Sequence, residues 1–291
     1  MPDDSESSRK ARSRGYHSGG VDTVISVDDV QRQAAAAVQE GLDADYLTSL
    51  TNGAPYVDIS ALRAGYGKMQ ILHELDLKVG KGQSLCLIGP NGAGKSTVLH
   101  SIFGFTNIFS GSIHVGGKDV TALGSNDKLK KAGIAYILQD KSVFPGMTVE
   151  ENLWMGGYLM ASPSKAREAT EQIFSKYPRL AERRKHHAGV LSGGERRLLE
   201  ISRALVMGPE VLLVDEHSIG LEPRFIDMVF GILEDLQHNE GKTIVMVEQN
   251  AKRGLEFADI GYVMVSGTIA IAGSGDELLE NPDVGRLFLG G

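Results

Sequence analysis

Residues 89–97 read GPNGAGKST, and this stretch constrains the local fold more than any other in the chain. Gly89, Gly94, Lys95 and Ser96 satisfy the spacing G-x-x-x-x-G-K-[ST]. The apolar run SLCLIG leads into it and STVLHSIFGF leads out, so the loop joins a buried strand to a helix. Its glycines permit a tight turn that aims several backbone N–H groups at one phosphate. The helix that follows adds the positive end of its dipole. Lys95 is then placed to reach the β- and γ-phosphates of a nucleotide, and the Ser96 hydroxyl to ligate Mg2+.

The surrounding pattern is that of an α/β protein. VLLVD, TIVMVE and GYVMV are β-branched apolar runs separated by helical segments, which predicts parallel strands. YVDISALRAGYG and MQILHELDLKV read as paired strands, GIAYIL as another buried strand, and GSIHVGGKDV and SGTIAIAG as hairpins. The globular domain is expected over residues 56–291, with a helical stretch at about 141–190, where Thr148 and Glu151 have the spacing of a capping box. Residues 1–55 form an extension: a polar tail that reads as disordered, followed by a modest amphipathic helix in SVDDVQRQAAAAVQEGL. A net charge of −7 gives no reason to expect a nucleic-acid partner. The one cysteine, Cys86, lies in an apolar run and reads as a core thiol, which excludes an intrachain disulfide. No apolar run approaches the roughly 20 residues that cross a bilayer, and no secretory signal is visible.

Two further stretches carry chemistry. In LLVDEHSIG, residues 212–220, Asp215, Glu216 and His217 follow a buried strand. Side by side they suit a metal site, an acid–base set, or simply a strand end. Beside a phosphate loop, Asp215 is placed to hold Mg2+ through water, and Glu216, facing the other way, to orient or deprotonate an attacking water. In LSGGE, Ser192 and Glu195 form a capping box at the start of a helix whose glycine-rich N-terminus is an anion site. RRKHH, residues 183–187, reads as a solvated basic turn, with no cysteine or carboxylate spaced for zinc. The Met-rich stretch around Trp154 reads as partly core, and any exposed remainder would form a groove for a short helix of a membrane protein.

Taken in order, GPNGAGKST, AYILQD, LSGGE, VLLVDE, SIGLEP and VMVEQN, with Tyr66 in AGYGKMQIL, resemble the ATP-binding subunits of ABC transporters. The resemblance covers residues 56–291. It implies a P-loop NTPase fold with a RecA-like mixed sheet, an antiparallel β subdomain and an inserted helical subdomain. It implies that ATP and Mg2+ are bound, with ATP contacts from Tyr66, which stacks on adenine, and from Gly89, Asn91, Gly92, Gly94, Lys95, Ser96, Thr97 and Gln139. The metal contacts would be Ser96, Gln139 and Asp215, and the catalytic residues Glu216 and Gln249. Ser192, Gly193, Gly194 and Glu195 would bind the γ-phosphate held by a second ATPase subunit, identical or paralogous. The resemblance further implies transmembrane permease subunits, an indirect solute-binding protein, and a peripheral place on the cytoplasmic side of the cell membrane.

MTVEENLWMGGY, YPRLAERR, VEQNAKRGLEFADIGYV and NPDVGRLFLGG are similar to the branched-chain amino acid importer ATPases of the LivF type. That branch carries glutamine at the switch position, as Gln249 does here. Urea and short-amide importers share much of the pattern, and a soluble ABC ATPase is a third reading. Two departures stand out: His217 occupies the family's proline position, and the extension before Tyr56 is not part of the usual pattern.

Overall fold

The computed structural model describes residues 42–138, 142–215 and 222–289. The polar tail and the amphipathic stretch ahead of residue 42 lie outside the described residues, as do Gln139, Glu216 and His217. Among the described residues, ten strands form two sheets. β1 (Pro55–Tyr66), β2 (Met69–Gly80), β4 (Asn107–Val115) and β5 (Lys118–Asp119) make an antiparallel sheet in the order β2-β1-β4-β5. β3 (Ser84–Ile88), β6 (Ile134–Ile137), β7 (Val211–Asp215), β8 (Thr243–Val247), β9 (Ile260–Val265) and β10 (Thr268–Ser274) make the second, ordered β10-β9-β3-β8-β7-β6. All of its pairings are parallel except the closing hairpin of β9 with β10. A mixed sheet flanked by an antiparallel one is the arrangement that the motifs lead one to expect.

The apolar runs explain the layering. Every residue of β3, β7 and β8 is buried, as a parallel strand covered on both faces requires. Their side chains alternate between two cores. Leu212, Val214, Ile244 and Met246 join Cys86 in a core under the helices Gly193–Leu205 and Pro223–His238. Val211, Leu213, Val245 and Val247 face the opposite core, closed by the antiparallel sheet and the helix Lys95–Phe103. The parallel strands all end at one edge, where the loops that can carry chemistry gather. The Gly-Gly hairpin forms as read, with Val115 opposite Lys118. The capping boxes of Thr148 with Glu151 and Ser192 with Glu195 also form, and Ser274 with Glu277 makes a third. Residues ahead of Tyr56 pack on this body too. The helix Ala44–Ser49 buries Leu47, and Tyr46 donates its hydroxyl to the Ala272 carbonyl at 2.9 Å.

The basic turn is solvated as expected at Arg183, Lys185, His186 and His187, and only Arg184 is partly buried. Arg184 donates to Glu150 at 2.8 Å and to Glu171 at 3.1 Å, and its guanidinium lies 4.8 Å from the centroid of the Phe174 ring. Lys185 also reaches Glu150, at 2.9 Å. Burial alone would raise the Glu150 pKa, but the hydrogen bonds from Arg184 and Lys185 outweigh it and hold the carboxyl below its ordinary value. The turn thus straps the helices Val149–Gly156 and Pro163–Lys176 together. It answers a buried carboxylate, which must be paired to be tolerated.

A buried cation lies on the other side. Lys128, in the helix Ser125–Ala132, is fully buried and donates to the Ser101 carbonyl at 3.0 Å, in the last turn of the helix Lys95–Phe103. The negative end of that helix favours the ammonium there. Burial nevertheless pulls its pKa from 10.5 down to about 8, with Asp119 opposing. A folded-state pKa below the unfolded one means that burying the charge costs stability fully below pH 8. The cost fades as pH rises from 8 towards 10.5. Wild type is therefore expected to gain about 2 kcal/mol on Lys128→Met between pH 7 and pH 10. Denaturant midpoints of both proteins at the two pH values check this, and a pH-independent difference would contradict it.

Candidate nucleotide-binding site

The phosphate loop follows β3 and ends in the helix Lys95–Phe103. Gly89 has φ 143°, and a Cβ there would sit 2.3 Å from the carbonyl oxygen of Met264 in β9. Only glycine lets the loop leave the sheet this close to its neighbour. Gly94, with φ 98°, is the N-cap of the helix, and no side chain caps it. The N-terminal end of the helix dipole therefore faces the loop without a competing side-chain acceptor. Lys95 is buried, and its Nζ donates to the carbonyls of Gly89 at 2.8 Å and Pro90 at 3.1 Å. A cavity of about 280 Å³ opens over the loop, lined by Asn91, Gly92, Gly94, Lys95, Ser96 and Thr97, with Tyr66 and Ile71 on its far side.

Tyr66 comes from the end of β1, so the antiparallel sheet supplies one wall of this cavity. The residue is 43% exposed, which leaves surface for stacking, while its hydroxyl bonds to His100 Nδ1. Burial lowers the His100 pKa against the opposing charge of Asp215, which favours the neutral imidazole.

Asp215, at the end of β7, is buried beside the loop. Its Oδ1 accepts from Ser96 Oγ at 3.0 Å and its Oδ2 from the Tyr136 hydroxyl at 2.7 Å. Burial, then the charge of Asp215, raises the Tyr136 pKa, so the phenol stays protonated and donates. No cluster of three or more His, Cys, Asp or Glu side chains that could hold a metal occurs among the described residues. Ser96 and Asp215 nevertheless present hard oxygen atoms together at the loop. That set fits Mg2+, which keeps several waters and binds through one or two protein oxygens plus phosphates.

Gln249 is exposed just beyond β8, which pairs with β7 so that Val247 lies opposite Asp215. The neighbouring Glu248 is buried. Its charge adds to burial in raising the pKa of Cys86, which is the inert core thiol expected.

The LSGGE helix starts as read. Ser192 Oγ accepts from the Glu195 amide at 3.3 Å, and Glu195 accepts from the Ser192 amide at 3.0 Å. The backbone bond from Ser192 leads in lowering the Glu195 pKa, and Arg183 also donates to that carboxylate, at 3.2 Å. Ser192 and Gly193 are exposed, whereas Gly194 is buried against the Phe225 ring, 2.4 Å from where a Cβ would stand. None of residues 192–195 lines the cavity over the phosphate loop. The structure therefore gathers Tyr66, the loop and Asp215 in one place and leaves LSGGE facing elsewhere.

A second cavity, of about 310 Å³, lies between β6 and the helices Val149–Gly156 and Gly193–Leu205. Leu138, Met155 and Tyr158 line it with exposed apolar surface, alongside Tyr136 and Arg203. Tyr158 also lines an adjoining cavity with Trp154, Met160 and Arg167, so the apolar surface is continuous. Sequence reasoning singled out neither Tyr136 nor His100. Tyr136 meets Asp215 because β6 lies beside β7, and His100 meets Tyr66 because β1 reaches the helix Lys95–Phe103; no local pattern reports either.

Comparison with known proteins bears on this geometry. The family model described as ABC transporter matches residues 72–218. The high-affinity branched-chain amino acid transport ATP-binding protein BraG of Pseudomonas aeruginosa is 42% identical over 226 residues, covering 78% of this chain and 96% of that protein. A probable branched-chain amino acid transport ATP-binding protein, LivF of Archaeoglobus fulgidus, is 38% identical, covering 79% of this chain and 96% of its own. Among solved structures, a nucleotide-free ATP-binding cassette from an ABC transporter superposes with a TM-score of 0.71 at 27% identity, covering 81% of this chain and 100% of that one.

Proposed function

The chain belongs to the ABC transporter ATP-binding family, and from that premise we propose that it is the ATP-hydrolysing subunit of an importer of branched-chain amino acids. It is an ATPase whose family works with transmembrane permease subunits. The observation that carries the reading is the convergence of Lys95, Ser96 and Asp215 on one phosphate loop. The solute class rests on the similarity to BraG and LivF over nearly their whole lengths.

In this reading Tyr66 stacks on adenine, and Gly89, Asn91, Gly92, Gly94 and Thr97 cradle the phosphates with Lys95. Ser96, Asp215 and Gln139 would hold Mg2+, which would supply positive charge against the phosphates of ATP. Glu216 takes the proton of the attacking water, and Gln249 stands at the switch position. Ser192, Gly193, Gly194 and Glu195 serve the nucleotide of a second ATPase subunit, because in their own chain they lie away from the loop. Residues 56–291 are the nucleotide-binding unit, residues 141–190 its helical subdomain, and residues 1–55 an appended extension.

No helix among the described residues is long and apolar enough to cross a membrane. Attachment on the cytoplasmic face then runs through the groove of Leu138, Met155 and Tyr158, which suits a short amphipathic helix of a permease. Purification of the tagged chain in detergent tests this: the permease subunits are expected to co-purify, and their absence would defeat the reading. Loss of leucine, isoleucine and valine uptake in a deletion strain tests the solute, and loss of urea uptake instead would redirect it.

Ser192→Ala separates the two roles of the LSGGE helix start. Loss of the cap is expected to cost about 1 kcal/mol of stability. Loss of a hydrogen bond to phosphate is expected to lower hydrolysis at least about tenfold. Thermal unfolding and phosphate release, measured on the same sample, check both.

A further inference from the structure

We propose that Tyr136 is a positioning residue that aims the Asp215 carboxylate and ties it to the wall of the docking groove. The inference rests on the reading of Asp215 as a holder of Mg2+.

The torsion that turns a carboxylate plane is broad and soft, so one hydrogen bond does not fix it. Asp215 has donors on both oxygens. Ser96 Oγ, on the phosphate-loop helix, holds Oδ1 at 3.0 Å, and the Tyr136 hydroxyl, on β6, holds Oδ2 at 2.7 Å. In the register of the two strands Tyr136 sits opposite Leu213, so the length of its ring carries the hydroxyl forward to the end of β7.

The ring itself is held. Phe103, His100 and Phe105 lie with centroids 5.5, 5.7 and 6.0 Å from it. A donor on a packed ring is a fixed point, and partners of this kind orient groups that bind metals. Tyr136 is also among the residues that line the groove, with Leu138 and Met155. One residue therefore borders both that groove and the carboxylate at the phosphate loop.

The test uses the full chain, loaded with a non-hydrolysable ATP analogue, and Mn2+ as a spin probe standing for Mg2+. Tyr136→Phe keeps the ring and removes the hydroxyl. Mn2+ affinity, read by electron paramagnetic resonance, is expected to fall about tenfold, with analogue affinity in EDTA unchanged. Asp215→Asn is expected to weaken Mn2+ at least as much.

If Asp215→Asn weakens Mn2+ and Tyr136→Phe does not, the positioning role is overturned while the reading of Asp215 stands. Analogue binding in EDTA that falls as far as Mn2+ binding would make Tyr136 a merely structural residue and overturn the role as well. If Asp215→Asn binds Mn2+ as wild type does, the reading of Asp215 falls and takes the inference with it.

Discussion

Lys95→Ala is expected to lower ATP hydrolysis about 100- to 1000-fold, the range found when one donor aimed at developing charge is removed. The ammonium is buried and already oriented, with the Gly89 and Pro90 carbonyls at 2.8 and 3.1 Å. Phosphate oxygens carry full negative charge, so they outcompete these carbonyls for the same protons. Little reorganisation is needed, which is the condition under which such a group contributes most to rate. The fold should survive, since the loss of these hydrogen bonds is offset by removal of a charge that is costly to bury. Arginine is a poor substitute, because a planar fork does not fit a socket built for a compact ammonium. Phosphate release at saturating ATP, with a denaturant midpoint as control, checks the expectation. Hydrolysis within tenfold of wild type would contradict the assignment of Lys95 to the phosphates.

How legible all this was in the sequence differs from element to element. The phosphate loop could be read because its physics is local: glycines for the turn, an apolar strand before it and a helix after it. The capping boxes at Thr148 and Ser192 were legible for the same reason, as each is settled within four residues. Strands β3, β7 and β8 could be read because burial on both faces leaves continuous apolar runs.

What escaped depends on partners far along the chain. Arg184 reads as a solvated charge until the fold brings it to Glu150, 34 residues away. Nothing local marks Lys128 as buried, and only the fold brings the Ser101 carbonyl and the surrounding core around it. Tyr136 reads as one more apolar strand residue until β6 lands beside β7, 79 residues further on, and its hydroxyl meets Asp215. In each case the missing information is a strand or helix neighbour, not a residue type. The loop and its flanking elements were therefore more readable than the groups packed behind them. His217, the departure from the family pattern, lies outside the described residues, and its replacement of proline remains a feature of the sequence alone.

The second large effect is expected at Glu216. In the proposed division of labour Asp215 stays with the metal and Glu216 accepts the proton from water. Glu216→Gln keeps the size and shape of the side chain but cannot accept that proton at neutral pH. General-base catalysis contributes about 100- to 10,000-fold, so hydrolysis should fall by that order. ATP binding should not fall, because Lys95, Ser96 and the loop are untouched. If, as proposed, ATP sits between two subunits, blocking hydrolysis should leave it bound and make the closed dimer accumulate. The decisive measurement is phosphate release by the transporter purified with its membrane subunits, wild type against Glu216→Gln, with bound ATP quantified in the same samples. The account predicts release down at least about 100-fold with ATP retained; equal rates of release would show that Glu216 is not the base and contradict it.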